Sequence, residues 1–202
     1  IHRVLRLEGK EKPEFTDLFG RRGREWLDKC ELRPVHERIK REALEMLEQV
    51  ERYIGRIDRE LKWSVRENEK VRRLITIPGI GVYFANTILA EVGDIRRFRT
   101  AKHFAGYTGL VSSERSSGGR RYFGRITKQG SKILRWVFVE AAQRAKVLDE
   151  NLKEFFDRIA YKKGKGSATV ALARKLSEVT WHVLINNEDY DTRKVQRRCR
   201  FG

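Results

Sequence analysis

The chain has 202 residues, 40% of them hydrophobic, and carries 45 Lys and Arg against 28 Asp and Glu, for a formal net charge of +17. This is enough apolar material for one large domain or two small ones, and the positive surplus points to a polyanionic partner. No apolar run approaches the ~18 residues of a membrane span and no signal peptide opens the chain, so a membrane role is not expected. The two lone cysteines, Cys30 and Cys199, make no disulfide framework and suggest a reducing, cytoplasmic compartment. His2, His36, His103 and His182 lie too far apart for metal-ligand spacing.

Residues 1–33 read as a short basic helix end, a linker around Pro13 and an aromatic stretch in which Phe19, Trp26 and Leu27 are packing residues. Thr16 or Asp17 is placed to cap the turn of helix containing Leu18 and Phe19. Pro34 sits where helices begin. From there Val35, Ile39, Ala43, Leu47, Val50, Ile54, Ile57, Leu61 and Val65 recur in steps of three or four, a single apolar stripe that predicts one long helix over 34–73. Such a helix would run ~60 Å. With one narrow stripe it is expected to pair with another helix, as a coiled coil or dimer arm, unless it folds back along its own chain. Gly55 marks a weak point in its middle.

Leu74 to Gly93 (LITIPGIGVYFANTILAEVG) has the pattern of a helix-hairpin-helix. Pro78 ends the first helix, and Gly79 and Gly81 leave backbone N–H groups uncovered at the start of the second, where a phosphate is favoured. The alternative is an αα-corner that binds nothing. A short helix follows within Phe98–Leu110, with Thr100 as N-cap. Val111–Gly130 is rich in Ser and Gly and reads as an irregular functional loop, and the basic residues from Arg115 to Arg135 (Arg115, Arg120, Arg121, Arg125, Lys128, Lys132 and Arg135) are cations for a nucleic acid. Ser131 caps a helix with Ile133, Leu134, Val137, Phe138, Ala141, Ala142 and Ala145 on its apolar face. Another spans about 152–161, Lys162, Lys163 and Lys165 form a basic turn, and a last helix runs from Ser167 to about Leu184. Residues 191–202 are expected to fray. No segment alternates convincingly with period two, so the fold class is all-α: a long helix followed by a compact helical domain.

Ser116 and Ser117 directly precede Gly118-Gly119 and Arg120-Arg121. A serine that attacks a phosphodiester needs an accessible hydroxyl, cations on the non-bridging oxygens and a route for its proton. Gly supplies access and Arg supplies charge, but no general base lies beside them in the sequence. Read from the residues alone, a solvated Ser-Gly linker remains the commoner use of such a segment.

The ordered run IPGIGVYFANTILAEVGDIRRFRTAKHFAGYTGL, then SERSSGGRRYFGRITKQGSKILRWVFVEAA, resembles the C-terminal domain of the IS-one-ten-type insertion-sequence transposases, relatives of the Piv invertase. The likeness extends upstream to PEFTDLFGRRGREWL and downstream to KKGKGSATVALARKLSEVTWHVL. It implies a serine domain over 74–190, a coiled coil over 34–73, a residual linker over 1–33 and a basic tail over 191–202. It also implies a preceding RuvC-like domain with four carboxylates and magnesium, of which this chain carries no motif; no cofactor is expected in the chain itself. The family's serine before Gly, which forms a phosphoserine link with DNA, corresponds to Ser117, with Ser116 as second choice. Arg120, Arg121, Arg125 and Lys128 would lie near the scissile phosphate. DNA, a guide RNA from the same element and further copies of the chain, as dimer or tetramer, are the implied partners. Two functions stay open: the catalytic serine domain of a DNA transposase or recombinase, and a non-catalytic DNA- or RNA-binding and oligomerisation fragment.

Overall fold

The computed structural model describes residues 1–117 and 120–193, with the backbone alone at 114–117, 120–123 and 125. The chain forms two compact units, Ile1–Arg59 and Glu60–Gly202.

In the first unit, α1 (His2–Leu7) and α2 (Arg21–Lys29) precede the first part of α3 (Pro34–Glu67). Asp17 does not cap a helix directly. Its carboxylate accepts from the Phe19 amide at 2.9 Å, and α2 starts after Gly20, which has no side-chain cap. Leu5, Leu18, Leu27 and Cys30 form a small buried cluster, joined by Phe15, Phe19, Trp26 and Leu44. The face of α3 turned to it differs from the apolar stripe. Lys40 is buried and donates to the carbonyls of Leu27 (2.8 Å) and Cys30 (3.0 Å) at the C-terminal end of α2, while Glu37 neutralises it at 2.9 Å. Glu8 accepts from Arg33 (2.7 Å) and from His36, and these hydrogen bonds hold its carboxyl below the usual range. Val35, Ile39, Val50, Ile54 and Ile57 of the stripe stay exposed, as do Met46 and Tyr53.

The 34–73 helix expected from sequence is two helices. α3 ends at Glu67, and Asn68, in extended conformation, caps α4 (Glu69–Leu74) by accepting from the Lys70 amide at 2.9 Å. A short polar side chain that competes for backbone amides interrupts the helix here, and Val65 turns from the stripe to the core of the second unit.

That core belongs mainly to α7 (Lys132–Leu148) and α9 (Lys165–Asn186). Ala141, Ala142 and Ala145 on α7 and Ala168 and Ala173 on α9 are almost wholly buried; small side chains let these backbones approach. α9 packs on α4, α6 (Ala101–Tyr107), α7 and α8 (Glu150–Lys163), and α5 (Val82–Val92) lies on α7. Phe104 and Phe138 meet edge to face at 6.1 Å in the centre, and truncating either to Ala would cost about 3–5 kcal/mol. Thr100 and Ser131 cap α6 and α7 as expected, through the amides of His103 and Leu134. Asp149 caps α8 through the Leu152 amide at 3.0 Å. Its second oxygen accepts from Tyr190 Oη (3.0 Å) and Thr192 Oγ1 (2.9 Å), so the chain is anchored through residue 192, beyond the expected start of fraying. Residues 194–202 of that expected tail lie outside the described residues.

The fold is all-α in class, as the sequence indicates, with one addition. The expected loop 111–130 contains a two-stranded antiparallel hairpin, β1 (Ser112–Ser117) and β2 (Arg120–Ile126). Its register shifts between Ser112 and Glu114, where Ser113 stands against Gly124-Arg125. A bulge of this kind hides any period-two pattern.

Candidate nucleic-acid interface

Three pieces meet at the base of the hairpin: the end of α6, the loop 127–130 and the start of α7. The Thr127 amide donates to Val111 O and the Ser131 amide to Tyr107 O, both at 2.9 Å. The Arg135 guanidinium donates to Lys128 O at 3.0 Å and to Thr108 O at 3.5 Å. Gly130 (φ +113°) passes so close to α6 that a Cβ there would lie 2.1 Å from Tyr107 O. Ser131 Oγ, while capping α7, donates to Glu91 of α5 at 2.7 Å. The sequence elements GYTGL and RITKQGS are therefore the clamp that holds the hairpin on the helical core.

From this root the strands run to the rung Ser117–Arg120, the last before Gly118-Gly119, with Ser116–Arg121 and Arg115–Tyr122 behind it. The backbone thus pairs both candidate serines with the two candidate arginines. The side chains of Arg115, Ser116, Ser117, Arg120, Arg121 and Arg125 lie outside the described residues. Lys128 and Lys132 are exposed at the root, Lys128 in the left-handed region (φ 53°). Arg135, expected as a phosphate-binding cation, directs its Nη1 to the backbone carbonyls of Lys128 and Thr108. Lys162, Lys163 and Lys165 are exposed around Gly164 at the α8–α9 corner. α9 meets α7 through Thr169 and Gln143 (3.5 Å), about 16 Å along α7 from Lys132. The two basic groups are separate.

The turn between α4 and α5 assigns its glycines different roles. Gly79 (φ +84°) is pressed on α7: a Cβ there would lie 2.2 Å from Ala141 O and 3.0 Å from Ala145 N. A side chain at Gly79 would displace α7, so its substitution perturbs the packing as well as any approach of a phosphate. Gly81 has open space around it and caps α5 without a side chain, leaving first-turn amides to solvent or a ligand.

Sequence reasoning missed Arg97, whose guanidinium lies 4.6 Å over Phe98 and 4.7 Å over Tyr107, under the α6 end of the clamp. Its neighbour Arg96 pairs with Asp94 (2.9 Å), a contact that lowers the Asp94 pKa and raises that of Arg96. The arginine directly before Phe98 in GDIRRF is the signal that could have found it.

Residues 71–157 match the transposase IS116/IS110/IS902 family. The match covers α4 to the first half of α8 and includes the whole hairpin and its clamp. The chain is 30% identical over 154 residues to a probable family 20 transposase of Pseudomonas aeruginosa, covering 74% of this chain and 46% of that protein. It is 34% identical over 134 residues to the transposase for insertion sequence element IS1328 of Yersinia enterocolitica, covering 64% of this chain and 40% of the relative. It is 32% identical over 129 residues to the pilin gene-inverting protein of Moraxella bovis, covering 62% and 40%. The chain spans less than half the length of these three relatives. Among the described residues no helix is long and apolar enough to cross a membrane.

Proposed function

We propose that this chain engages and processes DNA as the C-terminal part of an IS110-type transposase or recombinase, with Ser117 as nucleophile. The observation that supports this reading most is the Ser117–Arg120 rung beside Gly118-Gly119 on a hairpin clamped to the core, within the segment that matches the family. In the proposed step Ser117 Oγ bonds to phosphorus, the bond from phosphorus to one sugar oxygen breaks, and the serine proton leaves as that oxygen is protonated. Arg120, Arg121, Arg125 and Lys128 would neutralise the phosphate. The magnesium implied by the family resemblance is expected in a preceding RuvC-like domain, and no step here runs through it. A guide RNA remains part of the proposal as a second polyanion for the lysines of the α8–α9 corner.

Self-association is proposed through α3. Ile39, Met46 and Tyr53 recur every seven residues, as do Ala43, Val50 and Ile57, and all but Ala43 are exposed large apolar residues. That is the seam of a left-handed coiled coil. The same seam also favours a second reading, in which the chain is a binding and oligomerisation module without its own chemistry. A full-length transposase carrying Ser117→Ala decides between them. The nucleophile reading expects loss of strand cleavage and joining with DNA affinity retained; undiminished joining leaves only the module.

A further inference from the structure

We propose that the outer face of the α5–α7 pair is a stacking platform for unpaired nucleobases, built from Tyr83, Phe84 and Trp136 with Ile133 at its edge. The inference rests on the reading that the chain engages nucleic acid, and it names a site and a strand state that this reading leaves open. The Phe84 ring centroid lies 6.0 Å from that of Tyr83 and 5.6 Å from that of Trp136, the latter at 86°. Phe84 is half-buried, whereas Tyr83 (56%), Trp136 (47%) and Ile133 (50%) keep much of their surface in solvent. The buried face of α7 is complete without Ile133 and Trp136: Leu134, Val137, Phe138, Ala141 and Ala142 supply it. The two outer side chains therefore serve no core within the second unit.

Charge favours a polyanion as the occupant. Neither α5 nor α7 has an acidic residue in its first turn, and Gly81 leaves the α5 amides uncapped beside Tyr83. Lys132 is exposed one turn before Trp136. A strand whose phosphate rests at the start of α5 or on Lys132 brings its base to the rings. Glu140, exposed one turn beyond Trp136, ends the platform with the opposite sign. The patch is also small for a protein partner. Three half-exposed side chains offer roughly 300 Å², against about 800 Å² per partner in a stable interface. Paired bases in a duplex have no free face for such a platform, so single strands are the expected ligand.

The test is anisotropy of a labelled mixed-sequence single-stranded oligonucleotide and of its duplex, on the whole chain and on Tyr83→Ala, Trp136→Ala and Trp136→Phe. The two alanine variants are expected to bind the single strand roughly five- to a hundred-fold more weakly, with duplex affinity within about twofold. Trp136→Phe, which keeps a ring, is expected to retain most of the affinity. Circular dichroism establishes that each variant is folded. Unchanged single-strand affinity in folded alanine variants overturns the platform alone. Equal losses on single strand and duplex overturn its strand preference. A change in sedimentation of the variants without a change in binding makes the patch a protein contact instead. If the unaltered chain binds neither oligonucleotide, the wider nucleic-acid reading fails with it.

Discussion

Replacing Gly79 by Ala tests whether the turn before α5 is held by close approach to α7. Two costs act together. A non-glycine residue held at φ +84° costs about 1–2 kcal/mol. The new Cβ, 2.2 Å from Ala141 O, forces α7 and the turn apart, an overpacking cost of about 1–3 kcal/mol. The sum, roughly 2–5 kcal/mol, is a large fraction of a typical domain stability of about 5–15 kcal/mol. For a unit of this size it should lower the melting temperature by on the order of 10 °C. Gly81→Ala is the control, since its φ is −89° and no atom lies within 4 Å of the added Cβ. Only the preference for Gly over Ala at an N-cap is lost there, under about 1 kcal/mol. Thermal unfolding followed by circular dichroism compares the two. If Gly79→Ala melts with the unaltered chain, or Gly81→Ala falls as far, the packing argument is wrong.

Arg135→Ala removes the guanidinium that holds Lys128 O and Thr108 O. It is expected to cost about 1–3 kcal/mol and to speed hydrogen exchange at the Thr127 and Ser131 amides, which unchanged exchange rates would refute. Lys132→Ala, by contrast, should leave the fold intact and reduce the salt slope of DNA binding by about one phosphate contact; an unaltered slope in titrations at several salt concentrations removes it from the interface. In the first unit, Glu8 has a depressed pKa through Arg33 and His36. Its stabilising contribution is therefore present above the ordinary carboxylate pKa of about 4.3 and is lost as pH falls through the lower folded value. Acid unfolding of Glu8→Gln should lack this component, and an unchanged pH profile would contradict it.

Helix periodicity and caps were legible in the sequence because they are local. Ser131 and Thr100 cap through amides three residues on, and the expected apolar face of α7 is buried except for Ile133, which lies on the outer side. The break at Asn68 is not legible because the apolar stripe continues to Val65, although Val65 faces the core of the second unit rather than the seam. The burial of Lys40 is not legible in the sequence, since the carbonyls of Leu27 and Cys30 that hold it come from outside its own helix. The hairpin was hidden by its bulge and by strands of Ser, Arg and Gly. What reveals it is the distant pairing of GYTGL with RITKQGS. Ser117 could be singled out from the family resemblance, whereas its rung with Arg120 needed the backbone register.

The central claim is that Ser117 is the atom donor to phosphorus, and covalent capture tests it most directly. A nicked suicide DNA substrate incubated with the full-length transposase should leave a protein–DNA adduct, and peptide mapping should place the link on Ser117. An adduct on Ser116 would contradict the assignment, as would recombination that proceeds with no serine-linked DNA.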